Sequence, residues 1–249
     1  MMHRFFIDEQ EIVDNRVLIT GGDAHHIHKV LRLAKGAEIF LCDGKGKEYR
    51  ATIISVNKGI VEAMIVGEIQ RFTEPSCKVT LYQGVPKSDK MDWIVQKCVE
   101  LGIYRIVPVL MERCVVRLET KKDRMKKRDR WQKIAEEAAK QSGRLRIPPV
   151  EEPIPLSEAL KGMSDHSLIL VPWEEEKEQG IKSVLSAHKD PQAIAYMIGP
   201  EGGMTAYEAE QLRIQGGIHV TLGRRILRTE TAGIAVLSMI LFHMDEMGG

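Results

Sequence analysis

The chain has 249 residues, of which 43% are hydrophobic and 29% are charged, a composition typical of a globular protein with a sizeable buried core. It contains no run of about 18 apolar residues, and the segment "MMHRFFIDEQEIVD" lacks the apolar core of a signal peptide. Four cysteines without a C-x-x-C pair favour buried, reduced thiols over disulfides or a zinc site: Cys42, Cys77, Cys98 and Cys114. We therefore expect a cytoplasmic protein with no membrane segment and no metal.

The formal net charge of +1 hides a polarised distribution. Residues 71–150 carry 19 lysines and arginines against 10 acidic residues, whereas residues 151–249 carry 8 against 15. A concentrated positive zone favours a polyanionic partner such as a nucleic acid. A solvated basic helix without any partner is the alternative that the charge pattern leaves open.

The first seventy residues predict a small β-barrel or sandwich. Glycine-containing turns separate the apolar runs at close spacing, as expected of short strands. A helix "DAHHIHKVLRL" (23–33) interrupts the strands, with Asp23 predicted as its N-cap. The predicted strands are "RFFI" (4–7), "RVLIT" (16–20), "AEIFLCD" (37–43), "YRATIISV" (49–56) and "IVEAMIVGEI" (60–69).

Beyond residue 77, strand-like runs alternate with helical patterns, which predicts an α/β domain with a mostly parallel sheet. The boundary is placed between residues 72 and 73, so that the domains are 1–72 and 73–249. The predicted strands are 78–85, 105–110, 166–173, 193–199 and 218–223. The predicted helices are "SDKMDWIVQKCVELG" (88–102), "DRWQKIAEEAAKQSG" (129–143) and "TAYEAEQLRIQGG" (205–217), the last with a capping box of Thr205 and Glu208.

Three loops at strand ends predict one ligand crevice. "IGPEGG" (198–203) joins a strand to a capped helix, and "VTLGRRILRTETAG" (220–233) has the same format. "LILVPW" (168–173) ends a third strand. Such turns leave backbone N–H groups free for a ligand, and the carboxyl ends of parallel strands share one edge. Neither G-x-G-x-x-G nor a P-loop is present, which disfavours those phosphate sites. An ordinary strand-to-helix turn remains the alternative.

Two basic clusters are candidates for nucleic-acid contact. The segment Lys121–Arg130 holds seven cations and two aspartates, the kind of multivalent surface that contacts phosphates. "HHIH" (25–28) is followed by Lys29 and Arg32. No acidic or cysteine partner lies at metal-ligand spacing from the histidines, so RNA contact or plain surface is favoured over metal.

Four motifs together resemble a known family. "GVPKSDKMDWIVQKCVELG", "RWQKIAEEAAKQSGR", "IGPEGG" and "LGRRILRTETA" are similar to segments of the bacterial 16S ribosomal RNA uracil-N3 methyltransferases, the RsmE family. The resemblance covers essentially the whole chain. It implies a knotted SPOUT-type (trefoil-knot) α/β methyltransferase domain with a mostly parallel sheet, preceded by a small PUA-like β-barrel. It further implies S-adenosyl-L-methionine as methyl donor, a homodimer, and 16S ribosomal RNA or the small subunit as partner, with uridine 1498 as the target.

The resemblance also implies roles for the loop residues. Uracil N3 carries a proton at neutral pH, so the site needs a proton acceptor or a cation that stabilises the anionic base. Arg228, and next Arg225, are the candidates for that cation, and Glu201 and Glu230 for the acceptor or an orienting group. An acidic residue in a helix's first turn, as Glu230 is, also simply complements the helix dipole. The expected cofactor-binding residues are Leu170, Val171, Pro172, Ile198, Gly199, Pro200, Glu201, Gly202, Gly203, Leu222, Gly223, Arg225, Ile226 and Leu227.

Paired N3 is inaccessible inside a helix, so the target uridine is expected to be unpaired or flipped out. Two alternatives stay open: another SPOUT RNA methyltransferase, acting on a ribose 2′-oxygen or another base, and a non-catalytic RNA-binding ribosome assembly factor. The expected RNA-binding residues are His25, His26, Lys29, Arg32, Lys87, Lys121, Lys122, Arg124, Lys126, Lys127, Arg128 and Arg130.

Overall fold

The computed structural model of the protein describes residues 3–57 and 59–248, which form two compact units. The first unit comprises the chain up to Glu74 together with Ala139–Ile147, and the second comprises Pro75–Ala138 and the chain from Pro148 onward. The predicted single boundary between residues 72 and 73 does not describe this division, because the segment Ala139–Ile147 also belongs to the first unit. None of the helices in the described residues is long and apolar enough to cross a membrane.

The first unit is built on a six-stranded sheet with the order β1-β4-β5-β6-β3-β2. The pairing of β1 with β4 is parallel and the other pairings are antiparallel. All five strands predicted in this region are confirmed within two residues at each end, and a short β2 is added. The strands are β1 (Arg4–Phe6), β2 (Ile12–Val13), β3 (Arg16–Thr20), β4 (Glu38–Cys42), β5 (Glu48–Asn57) and β6 (Ile60–Ile69).

One face of this sheet packs on an apolar core. In β3, Val17 and Ile19 are buried while the residues between and beside them are exposed, because successive side chains of a strand point to opposite faces. Ile27, on the intervening helical segment, is fully buried against the same core. The core explains why short strands of modest apolar content form a stable unit.

The helix of the first unit differs from its prediction. Helix α1 (Gly21–His25) begins two residues before Asp23 and continues as a π-helical turn, His26–Val30. The predicted N-cap role of Asp23 is therefore wrong. Its carboxylate instead accepts hydrogen bonds from Lys140 Nζ at 3.2 and 3.3 Å, from within the first helical turn, where a negative charge is favourable.

The segment that returns to the first unit is held by polar contacts. Arg144, only 4% exposed, forms an ion pair with Glu74. The N–H of Ile147 donates to the carbonyl of Gly44 at 3.1 Å. Since these partners lie before residue 75, the segment is an integral part of the first unit.

The second unit contains a six-stranded, entirely parallel sheet with the order β12-β10-β11-β7-β8-β9. The predicted α/β class and all five predicted strands are confirmed, whereas β9, α4 and α5 were not predicted. The strands are β7 (Lys78–Gly84), β8 (Arg105–Leu110), β9 (Ile154–Pro155), β10 (Leu168–Pro172), β11 (Ala193–Ile198) and β12 (Ile218–Val220). The helices are α2 (Lys90–Leu101), α3 (Lys121–Ser142), α4 (Leu156–Met163), α5 (Ile181–Ala187), α6 (Ala206–Ile214) and α7 (Thr229–His243). The end of α3, residues 139–142, belongs to the first unit.

Local sequence rules explain where these helices begin and end. Helix α2 ends at Gly102, whose φ of 110° is the left-handed C-cap conformation that favours glycine. The predicted capping box of α6, made by Thr205 and Glu208, is present. Helix α3 begins at Lys121 instead of Asp129, so the basic segment is the first half of one long helix.

Helix α7 is apolar on nearly all sides. Its inner face is buried, as shown by Val236, Leu237 and Ile240. Its outer face carries Met239 and Phe242, which are 36% and 68% exposed. The outer face is therefore an apolar surface that the residues described here leave uncovered.

The four cysteines are free and buried, as predicted. Burial raises the pKa of the Cys42 and Cys98 thiols to about 12, so both remain protonated and unreactive at neutral pH.

Candidate functional site

A cavity of about 770 Å³ lies at the carboxyl edge of the parallel sheet. Three segments line it: 172–174 after β10, 198–204 after β11, and 221–229 after β12. The last segment leaves the edge strand β12 and ends at the start of α7, whose Thr229 contacts the loop that follows β11. It therefore passes across the carboxyl ends of the neighbouring strands, and the three loops predicted to share a crevice do so.

Most of the expected cofactor-binding residues are on this cavity. Leu170 and Val171 are not, because both are fully buried within β10. The neighbouring Trp173 and Glu174 line the cavity instead. The expected residues that do line it are Pro172, Ile198, Gly199, Pro200, Glu201, Gly202, Gly203, Leu222, Gly223, Arg225, Ile226 and Leu227.

The "IGPEGG" loop needs its glycines for close packing. Gly203 has a φ of +71°, and a Cβ there would overlap the Glu174 carboxylate. A Cβ on Gly202 would lie 2.9 Å from the Cβ of Arg113. The Arg113 guanidinium also donates to the Gly202 carbonyl at 2.9 Å, so the loop is held from the β8 side.

A buried hydroxyl joins the loop to α7 and to the centre of the sheet. Thr229 Oγ1 donates to the Gly199 carbonyl at 2.7 Å and accepts a hydrogen bond from Gln83 Nε2 at 2.9 Å. Gln83 is fully buried at the end of β7, and its Nε2 also donates to the Gly84 carbonyl. These contacts fix the start of α7 against the ends of β11 and β7.

The two candidate carboxylates are engaged by one lysine. Lys90 Nζ lies 3.0 Å from Glu201 Oε1 and 3.3 Å from Glu230 Oε2. Glu201 also accepts a hydrogen bond from the Lys87 backbone N–H at 3.2 Å. Burial acts to raise the pKa of Glu201, but hydrogen bonds from backbone N–H groups and from Lys90 outweigh it, and the pKa is lowered. Glu201 is thus a weak base, and Glu230 is not among the residues that line the cavity.

Three arginines provide positive charge at the cavity. Arg224, Arg225 and Arg228 all line it and are exposed. Within the part of the chain that the structure describes, none of them forms an ion pair. Their charges are therefore available to an anionic ligand.

Some backbone and ring donors at the cavity have no partner. The N–H groups of Leu222, Ile226 and Leu227 meet no acceptor among residues 3–57 and 59–248. The Nε1 of Trp173 is buried and likewise unpaired there. These donors are therefore free to bind a ligand that carries hydrogen-bond acceptors.

The basic segment of α3 is less available than its sequence suggests. The guanidinium of Arg130 is engaged with Asp89 and Asp92. The remaining contacts are those of Arg124 with the Leu118 carbonyl, Lys127 with the Trp131 ring, and Arg128 with Asp129. Lys121, Lys122 and Lys126 remain exposed, with no such contact in the described residues.

The other expected RNA-binding residues are also exposed. His25, His26, Lys29 and Arg32 lie on the surface of the first unit, on and directly after its helical segment. Lys87 lies on the surface of the second unit, and its backbone N–H contacts the cavity residue Glu201. In the described residues, no group of three histidine, cysteine or acidic side chains is arranged to hold a metal ion.

The sequence did not indicate several residues that shape the cavity. Lys90 has the pattern of an ordinary first-turn residue of α2, and only the sheet order brings it beside Glu201. Thr229 was noted only as part of a motif, although its bonds to Gly199 and Gln83 organise the loop. Glu174 directly follows the predicted strand 166–173 and was not named, whereas its neighbour Trp173 belongs to the segment 168–173 that was predicted to border the crevice.

The comparisons with known proteins agree with this architecture. The family model of the RNA methyltransferase domain matches residues 73–241, and the family model of the RNA methyltransferase PUA domain matches residues 19–66. Ribosomal RNA small subunit methyltransferase E of Bacillus subtilis is 37% identical over 255 residues, covering 100% of this chain and 99% of that protein. The chain belongs to the ribosomal RNA small subunit methyltransferase E family.

Other members of the methyltransferase E family support this assignment. The Aquifex aeolicus member is 31% identical and covers 96% of this chain and 99% of its own length. The crystal structure of the Neisseria gonorrhoeae member, bound to S-adenosyl methionine, is 36% identical with a TM-score of 0.85, covering 97% of this chain and 98% of that chain. The predicted RsmE family and its fold class, a knotted SPOUT-type α/β domain after a PUA-like β domain, are confirmed.

Proposed function

We propose that the protein transfers a methyl group from S-adenosyl-L-methionine to N3 of uridine 1498 in 16S ribosomal RNA, in the cytoplasm. The observation that carries the proposal is the cavity at the carboxyl edge of the sheet, which combines unpaired backbone donors with three uncommitted arginines. A cofactor with acceptor atoms and an anionic nucleic acid would meet at such a place. The full-length similarity to methyltransferase E proteins supports the reaction and the substrate class.

The residues around the cavity fit S-adenosyl-L-methionine. The N–H groups of Leu222, Ile226 and Leu227 would hold a flat heterocycle through its acceptor nitrogens, and the glycines of 199–203 allow close backbone approach. The remaining lining residues of the three loops, Pro172, Ile198 and Gly223 among them, would complete the walls. When bound, this cofactor supplies an electrophilic methyl group on a sulfonium cation.

The arginines are assigned to the nucleophile. Uracil N3 must lose its proton before it attacks, and a nearby guanidinium lowers the cost of the anionic base. Arg228 is placed first because it directly precedes α7 and lines the cavity, and Arg225 second. Glu201 and Glu230 are assigned to orientation instead of proton removal, since both are engaged by Lys90.

Each of the two compact units would contribute its own phosphate contacts to RNA binding. Such contacts position the substrate without specifying its sequence. On the first unit they would involve His25, His26, Lys29 and Arg32. On the second unit they would involve Lys87 and the exposed lysines of α3, with a smaller share for the cations that have protein partners: Arg124, Lys127, Arg128 and Arg130.

A homodimer is proposed from the outer face of α7. Met239 and Phe242 on that helix are exposed, and Trp93 on the adjoining helix α2 is 52% exposed. Exposed large apolar side chains on neighbouring helices are typical of a protein–protein interface. A second copy of the chain would bury them.

The reaction is tested with labelled cofactor and small subunits that lack the modification, followed by mass spectrometry of the nucleosides. N3-methyluridine is the expected product, whereas a ribose-methylated nucleoside would favour the sister enzymes. Arg228→Ala should retain cofactor binding in calorimetry and lose methylation by about 100-fold, as for other preorganised charge stabilisers. Arg213→Ala is the matched control, because Arg213 pairs with Glu210 and does not line the cavity. Full turnover by Arg228→Ala would contradict this assignment, and RNA binding without any methylation by the unmodified protein would favour an assembly factor.

A further inference from the structure

Lys90, Glu201 and Glu230 form a charged triad beside the cavity. Lys90 Nζ bridges the two carboxylates at 3.0 and 3.3 Å. The three side chains are only 25%, 22% and 18% exposed, so water screens their charges less than at an open surface. As two anions and one cation, the charged triad carries one net negative charge.

The charged triad also connects three separate parts of the site. Lys90 begins α2, Glu201 belongs to the 198–204 loop, and Glu230 lies in the first turn of α7. Lys90 and Glu201 both line the cavity, so their charges act directly on whatever occupies it. The Lys87 N–H holds Glu201 from a second side, which leaves its carboxylate little freedom to turn away if Lys90 is removed.

We propose that Lys90 is a positioning residue that neutralises part of this negative charge and so sets how strongly the cavity prefers a cationic ligand over a neutral ligand of the same shape. The inference rests on the proposed function, because S-adenosylmethionine carries a sulfonium cation and its product S-adenosylhomocysteine carries a neutral thioether. The arginines Arg224, Arg225 and Arg228 make the lining of the cavity positive overall, and the charged triad, with one net negative charge, offsets part of that charge beside Glu201. Without the Lys90 charge, two negative charges would remain there, which would shift the preference towards the cation.

The test is the ratio of the dissociation constants of S-adenosylhomocysteine and S-adenosylmethionine, measured by calorimetry. For Lys90→Met the ratio should rise about fivefold over the unmodified protein, as expected when one partly screened charge is removed from the same cavity. Lys90→Arg keeps the charge and should leave the ratio unchanged. Lys97→Met is the matched control, because Lys97 lies on the same helix, pairs with Glu100 at 2.8 Å and does not line the cavity.

The opposite change gives an independent second measurement. In the double variant Glu201→Gln and Glu230→Gln, Lys90 stays and the charged triad becomes positive, so the ratio should fall below that of the unmodified protein. This variant decides the question if Lys90→Met does not fold. Equal weakening of both ligands by Lys90→Met, with no change of the ratio in either variant, would overturn the proposal and leave Lys90 a structural role. If the unmodified protein binds neither ligand, the proposed function itself fails.

Discussion

Replacing Thr229 by valine tests the contact that fixes α7 against the sheet. Valine keeps the shape of threonine but removes the hydroxyl that donates to the Gly199 carbonyl and accepts from Gln83 Nε2. Two net hydrogen bonds are lost at about 1 kcal/mol each, and a buried carbonyl and amide each lose one partner, so we expect a loss of about 2–3 kcal/mol in the free energy of unfolding. For a unit of this size that corresponds to a fall of roughly 5–10 °C in Tm.

The assay is urea unfolding followed by tryptophan fluorescence and circular dichroism. Thr229→Ser restores the hydroxyl and should recover most of the lost stability. Thr20→Val is the control for the exchange itself, because Thr20 is an exposed strand residue without a side-chain capping bond, and it should cost less than about 0.5 kcal/mol. A Thr229→Val variant within about 0.5 kcal/mol of the unmodified protein would refute the reasoning.

Two further predictions concern RNA affinity and pH. Replacing Lys121, Lys122 and Lys126 by alanine should weaken RNA binding and lower the slope of log K against log salt by about 2, as for three lost contacts to single-stranded RNA. Lys182→Ala is the control, because Lys182 is an exposed lysine of α5 that does not line the cavity. An unchanged slope in filter binding would mean that the α3 lysines are an ordinary solvated surface. Burial lowers the pKa of His166 from its ordinary value of 6.5, so below that pH the unfolded chain binds a proton that the folded chain does not, and stability falls as pH falls. His166→Asn should therefore lose less stability than the unmodified protein between about pH 7.5 and about pH 5.5 in urea unfolding, and equal losses would contradict the assignment.

Much of the fold could be predicted because its signals are local. Strand periodicity located the strands of both units, and Gly102 and the Thr205 capping box marked helix ends through their own backbone requirements. Helices α4 and α5 were missed because, at eight and seven residues, they are too short for a clear apolar period. The cap at Asp23 was wrong because the helix begins at Gly21, with Thr20 at the N-cap position, and the Asp23 carboxylate accepts instead from Lys140, 117 positions away.

The candidate site also combines features that local sequence signals predict with features that depend on long-range contacts. The three loops were predictable because the carboxyl ends of parallel strands always share an edge. The pairing of Lys90 with Glu201 was not, because it joins elements more than one hundred residues apart and depends on the order of strands in the sheet. Sequence alone therefore presented Glu201 as a free carboxylate, whereas its neighbours make it a partner in an ion pair.

The return of residues Ala139–Ile147 to the first unit limits how freely the two units could be exchanged between proteins. A fragment that ends near residue 74 would leave Glu74 without Arg144, Asp23 without Lys140 and the Gly44 carbonyl without its donor. Recombination at one point of the gene would therefore transfer an incomplete β domain. A working chimaera that exchanges the RNA-binding unit therefore needs three junctions, near residues 74, 138 and 148, instead of one.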